Sequence, residues 1–118
     1  MSEHFSEDEC VCPCCSRFLV NDKLIEELEH IRHILGDFPM IINSWCRCQQ
    51  HNEYIGGASN SKHLFINGCM AVDFYVKKLS FDTIYEKLDK EYAGKYGIGI
   101  YKNHIHFDIR NSYARWKS

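Results

Sequence analysis

The segment Asn103-His-Ile-His-Phe-Asp-Ile-Arg110 places histidine, histidine and aspartate at every second residue. In an extended chain His104, His106 and Asp108 share one face, and Ile105, Phe107 and Ile109 share the other. The isoleucine and phenylalanine face reads as core. The opposite face carries three groups able to bind a metal or move a proton, where a solvated strand face would carry Thr, Lys, Glu or Ser. A carboxylate with a similar problem is Asp73, set in the apolar run Met70–Val76. Burying it unpaired is costly, so it needs a cation or hydrogen-bond donors, and either a metal or one arginine would serve. His63, in Ser61-Lys-His63, is a further imidazole. A catalytic zinc site needs three protein ligands and one open position for water, and His63, Asp73 and the His104/His106 pair are its candidates here.

The cysteines pose a separate question. There are seven, an odd number, and four crowd into Cys10-Val-Cys12-Pro-Cys14-Cys15. Cys46 and Cys48 form another close pair, and Cys69 stands alone. A chain made in the cytoplasm is not expected to rest on disulfides. Tight Cys-x-Cys spacing suits a soft metal better than bridges between near neighbours. No paired CxxC…CxxC of zinc-finger spacing exists, however. The expectation is therefore thiols, free or oxidisable, in a turn, ahead of a second, structural zinc at Cys10, Cys12, Cys14 and Cys15.

The elements that must position these groups follow from periodicity. Residues 1–20 read as a polar, Cys-rich lead-in. Asn21 is a helix N-cap, and Leu24, Ile25, Leu28, Ile31 and Leu35 recur at helical spacing until Gly36 and Pro39 end the helix. His30 and His33 on this helix are expected to face solvent. Pro39–Trp45 reads as a strand, Arg47–Ser61 as a loop with a short helix near Gln49–Tyr54, and Met70–Val76 as a second strand. Ser80 caps a second amphipathic helix carrying Phe81, Ile84, Tyr85, Leu88 and Tyr92. Gly97–Tyr101 and His104–Ile109 form a hairpin across Lys102–Asn103. The tail Asn111–Ser118 is expected to pack back on the body through Trp116. The class expected is α+β, an antiparallel sheet flanked by helices, in one domain over residues 1–118.

Composition narrows the function. The chain has 118 residues and a formal net charge of −2, and Lys77–Lys78 is its only basic cluster, so nucleic acid is not an expected partner. No apolar run approaches the roughly 20 residues of a membrane span. The N-terminal MSEHFSEDEC is acidic and polar, unlike a signal peptide. The expectation is a monomer made in the cytoplasm that needs another route to any work outside, such as a phage pore or lysis.

Ser61-Lys-His63, Gly68, Ala71-x-Asp73 and a distant His106-x-Asp108 together resemble the zinc D-Ala-D-Ala carboxypeptidases and L-Ala–D-Glu endopeptidases of bacterial and phage origin. These share a fold with hedgehog signalling domains. The resemblance takes in Phe5–Cys10, Cys12-Pro-Cys14, Ser44-Trp-Cys-Arg47, Asn52-x-x-Ile-Gly56-Gly57-Ala58, Gly97–Tyr101 and Arg115-Trp116, so it covers nearly the whole chain. It implies His63, Asp73 and His106 as zinc ligands and Arg47 as an anchor for a substrate carboxylate or the oxyanion. An arginine fork suits that task by pairing with carboxylates at two points.

Two departures matter. The family pattern His-x-x-Gly-x-Ala-x-Asp spaces the first ligands seven apart, whereas His63 and Asp73 are ten apart. A longer loop, with Asn67-Gly68 as its turn, can absorb the difference. Many relatives also carry a Glu general base three residues before the last ligand, where this chain has Asn103. His104 stands in as the base, with Asp108 orienting a ligand, assisting proton transfer or competing for the same role. The function implied is a zinc peptidase cutting peptidoglycan stem peptides, endolysin-like. Two alternatives are a catalytically silent zinc-binding module of the same fold and a Cys-rich zinc or redox interaction module.

Overall fold

A computed structural model describes residues 1–118. Ser6 and Glu9 form a capping box that starts a single helical turn, α1 (Glu7–Cys10), inside the polar, Cys-rich lead-in. Phe5, just before it, is buried and meets Trp45 edge to face, a hydrophobic anchor the charged surroundings conceal in the sequence. Helix α2 (Asp22–Ile34) begins where the Asn21 side chain accepts from the Leu24 amide, and it buries Leu24, Ile25, Leu28 and Ile31. Gly36, at φ +102°, turns the chain out of it. Strand β1 (Ile41–Ser44) leads to the short helix α3 (Gln49–Tyr54), then to β2 (Ala71–Tyr75), α4 (Phe81–Glu91), β3 (Gly97–Ile100), β4 (Ile105–Asp108) and β5 (Ala114–Lys117). His30 and His33 are largely solvent-accessible, as expected, and His30 pairs with Glu91.

The five strands form one sheet in the order β1-β2-β4-β3-β5. Pairing is antiparallel from β1 to β3, as expected, but β5 runs parallel to β3, so the sheet is mixed. The reason is topological. Strand β4 is already flanked by β2 and β3, and the chain leaving it adds its strand at the nearer free edge, that of β3, instead of the β1 edge two strands away. A single reversal after β4 then gives β5 the direction of β3. The C-terminal segment therefore does more than lay Trp116 on the body; it extends the sheet.

Alternation within the strands separates two faces. Val72, Phe74 and Val76 of the β2 segment join Ile98, Ile105, Phe107 and Ile109 in the main core, with the apolar stripes of α2 and α4. Phe107 is fully buried, with ring centroids 5.3 Å from Tyr92 and 5.7 Å from Tyr96. Phe107→Ala is expected to lower the unfolding free energy by about 3–5 kcal/mol through lost transfer energy and a residual cavity. Denaturant titration of the two proteins measures it.

The other face holds the polar residues in register. Ser44 pairs with Asp73, Asp73 with His106, His106 with Gly99, and Gly99 with Trp116, one row across all five strands. The next row is Ala71, Asp108, Gly97 and Ala114. Small residues in β3 are required by this packing. A Cβ on Gly99 would lie 2.3 Å from the Trp116 ring, and one on Gly97 would lie 2.5 Å from Asp108 Oδ2. Tertiary contact, rather than backbone torsion, makes both positions glycine.

Candidate metal centre

Asp73 and His106 are direct cross-strand partners, which brings their side chains together at the middle of the sheet. His63 reaches them from the loop before β2. Its segment is tied to Arg47 by backbone bonds, Arg47 N to His63 O at 2.9 Å and Phe65 N to Arg47 O at 3.3 Å. The extra residues between His63 and Asp73 form a 3-10 turn, Phe65–Asn67, closed by Gly68 at φ +88°. The Asn67 side chain pins that turn to the Asn60 and Ser61 carbonyls. The insertion is thus folded away from the site, and the His63 imidazole stays beside Asp73.

His63 Nε2 lies 3.1 Å from Asp73 Oδ1, and His106 Nδ1 lies 3.0 Å from the same oxygen. All three residues are buried. The opposite nitrogen of each ring is occupied. His63 Nδ1 is 2.7 Å from the Trp45 carbonyl oxygen, so that nitrogen carries the proton and donates. His106 Nε2 is 2.7 Å from Asp108 Oδ2 and likewise donates. Asp108 is held as a carboxylate by Arg110, whose Nε and Nη2 reach its two oxygens at 2.8 and 2.7 Å. In their neutral forms, both imidazoles therefore aim bare lone pairs at a carboxylate oxygen.

Three acceptors converging on one buried point need a cation. These residues fit a divalent metal: His63 Nε2, Asp73 Oδ1 and His106 Nδ1 lie within 4.8 Å of one another. Ligand atoms bound at ~2.0–2.1 Å around a tetrahedral zinc sit about 3.3 Å apart, close to the spacings found here. The Trp45 carbonyl and Asp108 act on the ligands from behind, fixing tautomer and ring orientation. Burial disfavours the Asp73 charge; when His106 and His63 are protonated, their hydrogen bonds and charge outweigh it and lower the carboxyl pKa, a part the cation plays when both rings are neutral. Burial also opposes the Asp108 charge, and Arg110 and His106 overcome it in the same way.

Arg47 sits beside the triad. Its guanidinium donates to Ser44 Oγ, Asn52 Oδ1 and Asp73 Oδ2 at 3.1, 3.2 and 3.2 Å. Of its five N–H groups, three are engaged and two remain. Gly57 allows this arrangement, because a Cβ there would fall 2.1 Å from Asn52 Oδ1. His104 precedes β4 and also lines the site. Its Nε2 is 3.7 Å from Asp73 Oδ2, its ring stacks on Tyr101 at 4.4 Å, and its Nδ1 meets Asn103 Oδ1 at 2.9 Å. Burial lowers its pKa, with the Asp73 charge opposing, so the ring is neutral at pH 7. Asp108 is fully buried beneath His106, away from the open cleft.

The cleft over these residues has a volume of about 380 Å³ and is walled by Arg47, the Gly56–Ala58 loop, Tyr101, His104 and Trp116. All six residues named from the sequence are thus brought together, five around the cleft and Asp108 behind it. Sequence reasoning missed Arg110, Asn52 and Tyr101. The Asp108-x-Arg110 spacing carried a signal for the first. Asn52 and Tyr101 stood in segments already singled out, but their contacts to Arg47 and His104 depend on how the α3 loop and the β3–β4 turn fold. Asp108→Asn replaces the ionised acceptor behind His106, and it is expected to weaken zinc binding ~10–100-fold in chelator competition.

The family model described as Peptidase M15 matches residues 3–108, which include the triad and Asp108. The zinc D-Ala-D-Ala carboxypeptidase of Streptomyces albus G is 41% identical over 39 residues, a stretch that is 33% of this chain and 15% of that protein. The chain thus aligns with a small part of that relative's length. With the match running over most of its residues and a His/Asp/His centre at the middle of its sheet, the chain belongs to the peptidase M15 family.

Proposed function

We propose that the chain is a zinc peptidase that hydrolyses an amide bond in peptidoglycan stem peptides, as a D-Ala-D-Ala carboxypeptidase or an endopeptidase acting on the wall after release from the cell. The carrying observation is the convergence of His63 Nε2, Asp73 Oδ1 and His106 Nδ1 on one point, with the second nitrogen of each ring already donating elsewhere. Family membership and the named relative support the substrate class.

His63, Asp73 and His106 would hold the metal, which supplies a Lewis acid and a bound water whose pKa falls to about 7. The remaining roles belong to the chain. His104 donates Nδ1–H to Asn103 Oδ1, which leaves the Nε2 lone pair turned toward Asp73 and free to take a proton from the attacking water. The same nitrogen returns the proton to the leaving amine. Tyr101 stacking holds the ring in place. The two unengaged N–H groups of Arg47 bind a substrate carboxylate or the developing oxyanion. Asp108 is a positioning residue, since it touches His106 and Arg110 and does not line the cleft.

The test is digestion of purified peptidoglycan by wild type and His106→Ala, with zinc content measured in parallel and products identified by mass spectrometry. Defined peptides and one zinc at this centre, both lost in the variant, support the reading, and the product masses name the bond. Zinc bound at His106 with every wall type and a D-Ala-D-Ala dipeptide left intact would instead show a binding module.

A further inference from the structure

We propose that Cys12, Cys15 and Cys48 form a second metal site, independent of the His/Asp centre, that takes one soft divalent ion such as zinc. The sulfurs fall into two groups. Cys10-x-Cys12 and Cys46-x-Cys48 lie alongside each other, with Cys46 N donating to Cys10 O at 3.2 Å. Cys10 and Cys46 turn inward, their sulfurs 3.4 Å apart, and meet Cys69 in the core. Cys12 and Cys48 turn the other way, to Cys15. The Sγ atoms of Cys12, Cys15 and Cys48 lie within 4.8 Å of one another. Sulfurs bound at ~2.3 Å around a tetrahedral zinc sit about 3.8 Å apart, so small side-chain rotations close the set.

Hydrogen-bond donors reach each of these three sulfurs. Cys12 Sγ accepts from the Cys48 amide at 3.3 Å, and the amides of Cys14 and Cys15 also face it. Cys48 Sγ accepts from the His51 amide at 3.4 Å at the start of α3. Arg17 Nε reaches Cys15 Sγ at 3.4 Å. Burial raises the Cys12 pKa, and these donors work against it in favour of the thiolate, the form that binds metal. The turn itself is built for two sulfurs to converge. Pro13 leads into it, Ser16 N bonds back to Cys12 O at 2.9 Å, and Ser16 adopts φ +61°, a conformation that non-glycine residues rarely take. Cys12 and Cys48 are nearly or fully buried, whereas Cys14 is exposed and points away from the set. The fourth position falls to solvent. Because Cys48 follows Arg47 directly, an ion here ties the N-terminal arm to the segment that presents Arg47 to the cleft.

The test uses the full chain, purified under reducing conditions and loaded with zinc or cobalt(II). Wild type is expected to hold two zinc ions per chain, His106→Ala one, Cys48→Ser one, and the double variant none. Cobalt-loaded wild type is expected to show thiolate-to-cobalt charge-transfer absorption, which the sulfur-free His/Asp centre cannot produce. This spectrum needs no variant, so a cysteine variant that fails to fold does not block the test. Cys10→Ser is expected to keep the band, and Cys12→Ser to lose it. One zinc in wild type with no charge-transfer band, or a band lost with Cys10→Ser and retained with Cys12→Ser, would overturn the proposal. So would a Cys12–Cys48 disulfide found by alkylation of the freshly isolated, metal-loaded protein.

Discussion

Asp73→Asn is expected to abolish zinc binding at the His/Asp centre and to reduce peptide hydrolysis to the rate without enzyme. The substitution is close to isosteric, so the effect isolates charge. Asp73 Oδ1 is the one atom that both His63 Nε2 and His106 Nδ1 approach, at 3.1 and 3.0 Å. A neutral amide oxygen is a far weaker metal donor than a carboxylate. Loss of a partner behind a ligand already costs ~10–100-fold in affinity, so loss of a charged ligand itself must exceed that. There is a second consequence, measurable without metal. Asp73 Oδ2 is the counter-ion of Arg47, and both residues are buried. Removing one member of a buried pair leaves an uncompensated charge, at a cost of about 3–5 kcal/mol. Denaturant unfolding in the presence of a chelator should therefore show Asp73→Asn less stable than wild type. Equal stability there would mean that the pair contributes nothing to the fold and that Arg47 finds its compensation in Ser44 and Asn52 alone.

His104→Ala is expected to behave in the opposite way: zinc content unchanged and kcat lowered by about 10²–10⁴-fold, the range for a lost general base. The two outcomes separate the two imidazoles of the His104-x-His106 pair. His106 has both nitrogens committed, to Asp73 and to Asp108. His104 has Nδ1 committed to Asn103 and Nε2 facing the site at 3.7 Å from Asp73 Oδ2. Asn103, at the position where the resemblance implies a glutamate base, bonds to the His104 ring, the base proposed here. Protonated imidazole has no lone pair, so wild-type activity should fall in acid. Burial lowers the His104 pKa, with the Asp73 charge opposing, and that acid limb is accordingly shifted down from the ordinary histidine value. A variant that loses zinc along with activity would make His104 a ligand and remove its role as base.

The sequence by itself determined the elements and the chemistry of the site's members. Period-two alternation divided His104, His106 and Asp108 from Ile105, Phe107 and Ile109, and β4 buries the second set in the core while turning the first toward the site. Asn21 and Ser80 announced the two long helices, and both side chains accept the expected amide bond. These are local properties, set by rotamers, caps and strand geometry within a few residues. What the sequence left open is set by contacts between distant segments. The parallel placement of β5 depends on which edge of the sheet is free, which is known only once β2, β3 and β4 have paired. The role of Asp108 depends on register, because β4 pairing puts it beside Gly97 and leaves it behind His106 instead of in the cleft, where the neighbouring Arg110 fork holds it. Sulfur grouping follows the same rule. The four cysteines close in sequence do not stay together, because Cys10 ends the α1 turn against the core while Cys12 and Cys15 belong to the turn beyond it, so Cys12 and Cys15 find Cys48 while Cys10 finds Cys46 and Cys69.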